Sequence, residues 1–225
     1  MDVNDINGNI NEYIEQTNIK PDATKNDILS ICEEAEEFGF YAVAVMPTWL
    51  PLVVNRLRGT NVRIAAGISV PLGADTSETK SFAARQAIQV GADAVDIVMN
   101  IGALKTGDDD FVRDEICQLV DDVKKENQDT EIKIILECCY LDQEEIVTAA
   151  RIIEQCGADF IKTSTGLGPS GARIEDVRLI RASVSETMGI KAAGGIKTRE
   201  QAIALIRAGA KRIGTSSGVK IVQSG

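Results

Sequence analysis

Short apolar stretches alternate along the chain with longer amphipathic ones. The apolar stretches begin near Tyr13, Tyr41, Val62, Ala94, Ile132, Asp159, Gly189 and Arg212. Between them, segments such as 25–39, 77–91 and 198–209 carry apolar positions at helical spacing. Alternating strand and helix patterns predict βα units on a parallel sheet. Eight such units predict closure into an α/β (β/α)8 TIM barrel, with residues 1–225 forming one domain. In EEFGFYAV, QVGADAVDIV, QCGADFIK and RAGAKRIG a glycine ends the helix before the next strand begins. These turns support the fold and carry no chemistry.

Within the predicted strands the alternation separates two faces. In residues 94–100, Val95, Ile97 and Met99 form an apolar row opposite Asp96, Val98 and Asn100. In 132–138, Ile132, Ile134, Leu136 and Cys138 lie opposite Lys133, Ile135 and Glu137. Lys162 shares a face with Phe160 and Ser164, and Lys191 with Ala193. Strand side chains alternate with period two, so the apolar rows should pack under the helices. The other rows then point inward with Glu15, Thr17, Asp96, Lys133, Glu137, Lys162 and Lys191. Charges inside a barrel are costly unless paired or functional. A structural ion network explains any one of them. Three lysines and three carboxylates from different strands point instead to an active site.

Composition narrows the chemistry. Apolar residues make up 44% and aromatic residues 4% of the 225, an aliphatic mix suited to parallel strands buried on both faces. The net charge is −10 and the pI ≈ 4.7, with no basic run, which argues against nucleic-acid binding. No apolar run reaches the ~20 residues of a membrane span, and the polar N-terminal stretch MDVNDINGNINEY is unlike a secretory leader. Five cysteines, Cys32, Cys117, Cys138, Cys139 and Cys156, follow no framework spacing and read as reduced thiols of a cytoplasmic protein. There is no histidine. That removes Ser-His-Asp and Cys-His catalysis and weakens the case for a zinc site. Cys138 and Cys139, adjacent on a predicted strand, would face opposite ways and not chelate together.

Three Gly/Ser/Thr-rich turns follow the last three predicted strands: TSTGLGPSG (163–171), AAGGIKT (192–198) and GTSSG (214–218). Barrels commonly hold a phosphate at the loops after strands seven and eight, on backbone N–H groups and a helix N-terminus. Ser216 and Ser217 offer hydroxyls and Lys197 a compensating charge, so a phosphorylated small substrate is expected. A lysine in the interior can form an imine with a carbonyl once burial and a neighbouring cation lower its pKa. Lys162 and Lys191, on adjacent strands, both qualify, with Asp96 placed to move protons. The residues by themselves leave the two lysines unranked.

DFIKTSTG (159–166) resembles the Schiff-base segment of deoxyribose-phosphate aldolases, as do VPLGADTSETK (70–80), AVDIVMNIGALKTG (94–107), GIKAAGGIKT (189–198) and RIGTSSG (212–218). The likeness runs from about Tyr13 to the C-terminus in the family's order. It implies a lyase that reversibly cleaves 2-deoxy-D-ribose 5-phosphate to D-glyceraldehyde 3-phosphate and acetaldehyde, in deoxyribose phosphate catabolism. Lys162 matches the imine-forming lysine, Lys191 its pKa-lowering partner and Asp96 the proton-relaying aspartate. Phosphate contacts map to Gly166, Gly194, Gly195, Ser216 and Ser217, and Glu15, Thr17 and Lys133 form a supporting network. No metal or organic cofactor is implied, and a homodimer is open because such barrels often pair. Three places depart from the family's pattern. Strand one reads Ile14, Glu15, Gln16, Thr17 where I-D-H-T is usual; strand two ends Ala44, Val45, Met46, Pro47 where C-V-N-P is usual; and Val70 stands where Phe usually precedes the proline. Two other readings remain at this stage: a Schiff-base aldolase for another phosphorylated sugar, and a catalytically impaired sugar-phosphate-binding paralogue.

Overall fold

The computed structural model describes residues 8–224; the expectation of no leader rests partly on residues 1–7, which lie outside them. Eight strands form a closed parallel barrel: β1 (Ile14–Asn18), β2 (Ala42–Val45), β3 (Arg63–Ile68), β4 (Ala94–Val98), β5 (Glu131–Ile135), β6 (Phe160–Lys162), β7 (Gly189–Ala193) and β8 (Arg212–Thr215). Each pairs with the next, and β8 returns to β1. The principal helices between and after them are α1 (Lys25–Phe38), α2 (Leu50–Arg56), α3 (Ser77–Val90), α4 (Ile101–Lys105), α5 (Asp109–Glu126), α6 (Gln143–Gln155), α7 (Ile174–Ser183), α8 (Arg199–Arg207) and α9 (Gly218–Gln223). The (β/α)8 barrel expected from the alternation is the fold observed.

Local chemistry explains the boundaries. Thr24, Asp142 and Thr198 each close a reciprocal capping box at a helix start, satisfying amides that the first turn leaves free. The glycines expected to end helices, Gly39, Gly91, Gly157 and Gly209, all adopt positive φ.

The apolar rows pack outward against the helices, where Val95, Ile97, Ile132, Ile134, Ile161, Ile190 and Ile213 join one continuous core. Inside, Ala44, Ala65 and Ala94 form a small separate cluster that leaves room for longer side chains from β4 to β7. At the N-terminal end of the strands, the Arg212 guanidinium stacks 3.5 Å from the Tyr41 ring centroid.

Two sequence readings are corrected. The strand expected over 132–138 ends at Ile135, and Glu137 turns into the left-handed region at φ 55. Cys138 and Cys139 therefore lie in a 3-10 turn, not on opposite faces of a strand. Nor are all five cysteines reduced: Cys117 on α5 and Cys156 at the end of α6 form a disulfide, their Cα atoms 4.7 Å apart. Cys32, Cys138 and Cys139 are free.

Candidate active site

Five strands supply the interior charges. Lys162 ends β6 and pairs in register with Lys191 on β7, which sets the two ammonium stems side by side. Asp96 on β4 is level with Lys133 on β5. Glu15 enters from β1, in register with Gly214 on β8. A Cβ on Gly214 would lie 3.0 Å from Lys191 Cε and 2.9 Å from Ala193 Cβ. The missing side chain is the space through which Lys191 reaches the axis.

These groups form one ion cluster around Asp96. Its Oδ2 accepts from Lys162 Nζ at 2.8 Å and from Lys191 Nζ at 2.7 Å, and its Oδ1 lies 3.5 Å from Lys133 Nζ. Lys191 also donates to Glu15. Lys133 lies 3.6 Å from Glu15 and 2.6 Å from Glu131. All are buried except Glu131, which is partly so.

Burial acts to raise the Asp96 pKa, but the ammonium groups of Lys162, Lys191 and Lys133 hold the carboxyl well below its usual range. Glu15 behaves alike: burial would raise it, yet Lys133 and Lys191 lower it. Lys162 and Lys133 diverge. Burial lowers the Lys162 amine below the ordinary lysine value; Asp96 opposes this and the charge of Lys191 adds to it. Burial acts the same way on Lys133, but Glu15, Asp96 and Glu131 together drive it upward.

Access also distinguishes the lysines. A cavity of ≈ 420 Å³ opens at the C-terminal mouth of the barrel, and Lys162 lines it while Lys191 and Asp96 do not. Gly166, Gly194, Gly195, Lys197 and Ser216 border the same cavity, as does Thr17, whose hydroxyl bonds back to the Glu15 carbonyl. Ser217 borders an adjoining hollow that shares Gln16, Glu34 and Ser216 with the first. A larger hollow, ≈ 630 Å³, lies around Arg63, Lys124 and Asp129, with none of the cluster's lysines on its wall.

The loops after β6 and β7 interlock. A Cβ on Gly171 would fall 2.1 Å from the Gly194 carbonyl oxygen, and one on Gly194 would come 3.1 Å from Gly166 Cα. Only glycines permit this approach.

Glu137, expected among the interior charges, stands apart from them. Its carboxylate accepts from the Thr165 amide, 3.2 Å to each oxygen, and from the Thr165 hydroxyl. It braces the turn after β6. The third carboxylate near the lysines is instead Glu131, which falls one residue before the expected strand start. Sequence reasoning also missed Gln16, Glu34 and Lys20 on the cavity wall. Gln16 carried a signal, as a departure from the family's first strand. Met46 and Val70 likewise converge, their side chains lying 3.6 and 3.2 Å from a Cβ built on Gly67, the β3 residue in register with Asp96. Among the described residues, no three His, Cys, Asp or Glu side chains gather as a metal centre would require.

Comparison with known proteins gives the family. The chain is 51% identical over 216 residues to the deoxyribose-phosphate aldolase of Thermococcus kodakarensis, covering 95% of this chain and 96% of that one. It is 47% identical over 215 residues to that of Clostridium novyi, with 96% of each covered. The tetrameric deoxyribose phosphate aldolase of Aeropyrum pernix superposes with a TM-score of 0.89 at 28% identity, covering 97% of this chain and 91% of that one. A family model described as DeoC/LacD family aldolase matches residues 13–224, and the chain belongs to that family.

Proposed function

We propose that this chain is a lyase that reversibly cleaves 2-deoxy-D-ribose 5-phosphate to D-glyceraldehyde 3-phosphate and acetaldehyde through an imine at Lys162. One observation carries the choice of nucleophile. Lys162 is the clustered lysine that borders the cavity, and burial and Lys191 both favour its neutral amine.

The neutral Lys162 Nζ adds to the C1 aldehyde of the open-chain sugar, and loss of water gives the iminium. Asp96, 2.8 Å from that nitrogen, moves protons through a water in the cavity. As the C3 hydroxyl passes its proton through that water to Asp96, the C2–C3 bond breaks and its electron pair moves into the enamine. Glyceraldehyde 3-phosphate departs. Asp96 returns the proton by way of the same water to C2, which restores an iminium, and hydrolysis releases acetaldehyde and the free amine. Lys191 and Lys133 return Asp96 to its carboxylate form after each transfer.

The amides of Gly166, Gly194 and Gly195 and the hydroxyl of Ser216, with Ser217 beside it, hold the phosphate, and Lys197 balances its charge. In support, no described group accepts from the amides of Gly166, Gly195 or Ser216. The chemistry calls on no metal or organic cofactor.

A second reading rests on Met46 and Val70 over Gly67: a changed pocket suits a Schiff-base aldolase for a related phosphorylated sugar. Borohydride trapping with substrate followed by mass spectrometry tests the nucleophile, and a mass adduct on Lys162 is expected. No adduct would leave a binding-only paralogue. Turnover of another sugar phosphate with negligible cleavage of deoxyribose 5-phosphate would select the second reading.

No helix among the described residues is long and apolar enough to cross a membrane, and we place the enzyme in the cytoplasm. Leu72, Phe82 and Phe111 lie exposed, and we propose self-association as a homodimer, with light scattering to measure the mass.

A further inference from the structure

We infer that Gln16 is a positioning residue of the phosphate end and sets the preference for phosphorylated over unphosphorylated sugar. The inference rests on the reading that the phosphate lies beside Ser216. Gln16, 2% exposed on β1, joins two elements distant in sequence. Its Oε1 accepts the Gly218 amide at 3.1 Å, and its Nε2 donates to Glu34 Oε2 on α1 at 2.5 Å. A Cβ on Gly218 would come within 2.6 Å of Gln16 Oε1 and 2.9 Å of the Phe40 ring, so backbone and amide meet only because residue 218 is glycine.

The Ser216–Ser217 turn is held from both sides. On one, the Thr215 hydroxyl accepts the Ser217 amide at 2.9 Å and donates to the Ile196 carbonyl at 2.7 Å. On the other, Gln16 fixes Gly218. Gln16 also controls a charge. Glu34 borders the same cavity, where a free carboxylate would repel a phosphate dianion. The Gln16 amide takes one of its oxygens, and the Ser30 hydroxyl lies 3.5 Å from the other. A primary amide presents an acceptor and a donor on one planar group. Neutral histidine presents the same pair on its two ring nitrogens, whereas alanine presents neither and glutamate no donor.

The experiment compares kcat/KM for cleavage of 2-deoxyribose 5-phosphate and of 2-deoxyribose, and takes their ratio. For Gln16→Ala the ratio should fall about tenfold, on the scale of one lost hydrogen bond in a buried site. Gln16→Glu, which sets a second carboxylate against Glu34, should fall at least as far, and Gln16→His should return the ratio to within about twofold of the parent. A merely structural role would depress both substrates equally and leave the ratio unmoved. That result, or an unchanged Gln16→Ala, overturns the inference. If Gln16→Ala does not fold, the histidine and glutamate variants decide it by the same ratio. A parent enzyme with a ratio near one would instead sink the phosphate reading itself.

Discussion

Two of the buried lysine–carboxylate pairs in this molecule are the same by distance. Lys80 Nζ lies 2.8 Å from Glu115 Oε1, and Lys162 Nζ lies 2.8 Å from Asp96 Oδ2. Burial lowers the amine pKa in both. The surroundings differ. The second oxygen of Glu115 accepts the Asn100 amide at 2.8 Å, and neither partner borders the C-terminal cavity, so the pair ties α3 and α5 to the turn after β4. Asp96 is instead shared with Lys191 and approached by Lys133, and Lys162 meets the C-terminal cavity. A lowered lysine pKa therefore does not identify a nucleophile. A cavity and a neighbouring cation do.

The sharpest way to break that contrast is to remove each lysine. Lys162→Met should abolish the borohydride adduct and reduce cleavage by roughly 10⁴-fold or more, the scale seen when a nucleophile or its base is removed. Asp96→Asn should reduce kcat by about 10²–10⁴-fold as proton transfer is lost. It also removes the carboxylate that holds the Lys162 amine up, so the acid limb of the kcat/KM profile should move to lower pH. A limb displaced to higher pH would contradict the role given to Lys162.

Folding stability has a pH signature of its own. Asp96 and Glu15, lowered from 3.8 and 4.5, contribute stability that is present above those values and lost as pH falls through their folded ones. Lys162 works in the opposite sense. Its amine is lowered from 10.5, so the unfolded chain binds more protons between the folded value and 10.5, and stability rises with pH through that window. Lys80 has the same sign. Its loss should show in stability instead of chemistry: Lys80→Met strands Glu115 and should cost about 3–5 kcal/mol in urea unfolding.

The fold was legible because strand and helix periods differ and because glycine marks the helix ends. The charged cluster was legible only as far as the strand boundaries were. Asp96, Lys133, Lys162 and Lys191 lie well inside their strands or at the last paired residue, so alternation assigned their face. Glu137 lies past the end of β5, where backbone rotation to φ 55 redirects its carboxylate to Thr165. Periodicity cannot register that rotation. Glu131 was lost to a one-residue error at the other end of the same strand. The Cys117–Cys156 bond depends on how α5 packs beside α6, and Gln16 on a helix more than 200 residues away in sequence; neither leaves a local pattern.

The smallest expected effect gives the finest test. Replacing both members of the closed pair, Lys80→Met with Glu115→Leu, removes the stranded charge and leaves apolar side chains of similar volume. Such replacements are often neutral or stabilising, because the desolvation cost of both ions disappears together. One deficit remains: the Asn100 amide loses its acceptor, about 1–3 kcal/mol if it stays buried without water. The double variant should thus recover most of what Lys80→Met alone loses, with cleavage and the Lys162 adduct at parental levels. The matching replacement of Lys162 and Asp96 should recover no activity. If the Lys80/Glu115 double variant folds stably yet cleaves poorly, the closed pair contributes to the chemistry through Asn100 and the end of β4. The division between a structural and a reactive lysine would then have to be redrawn.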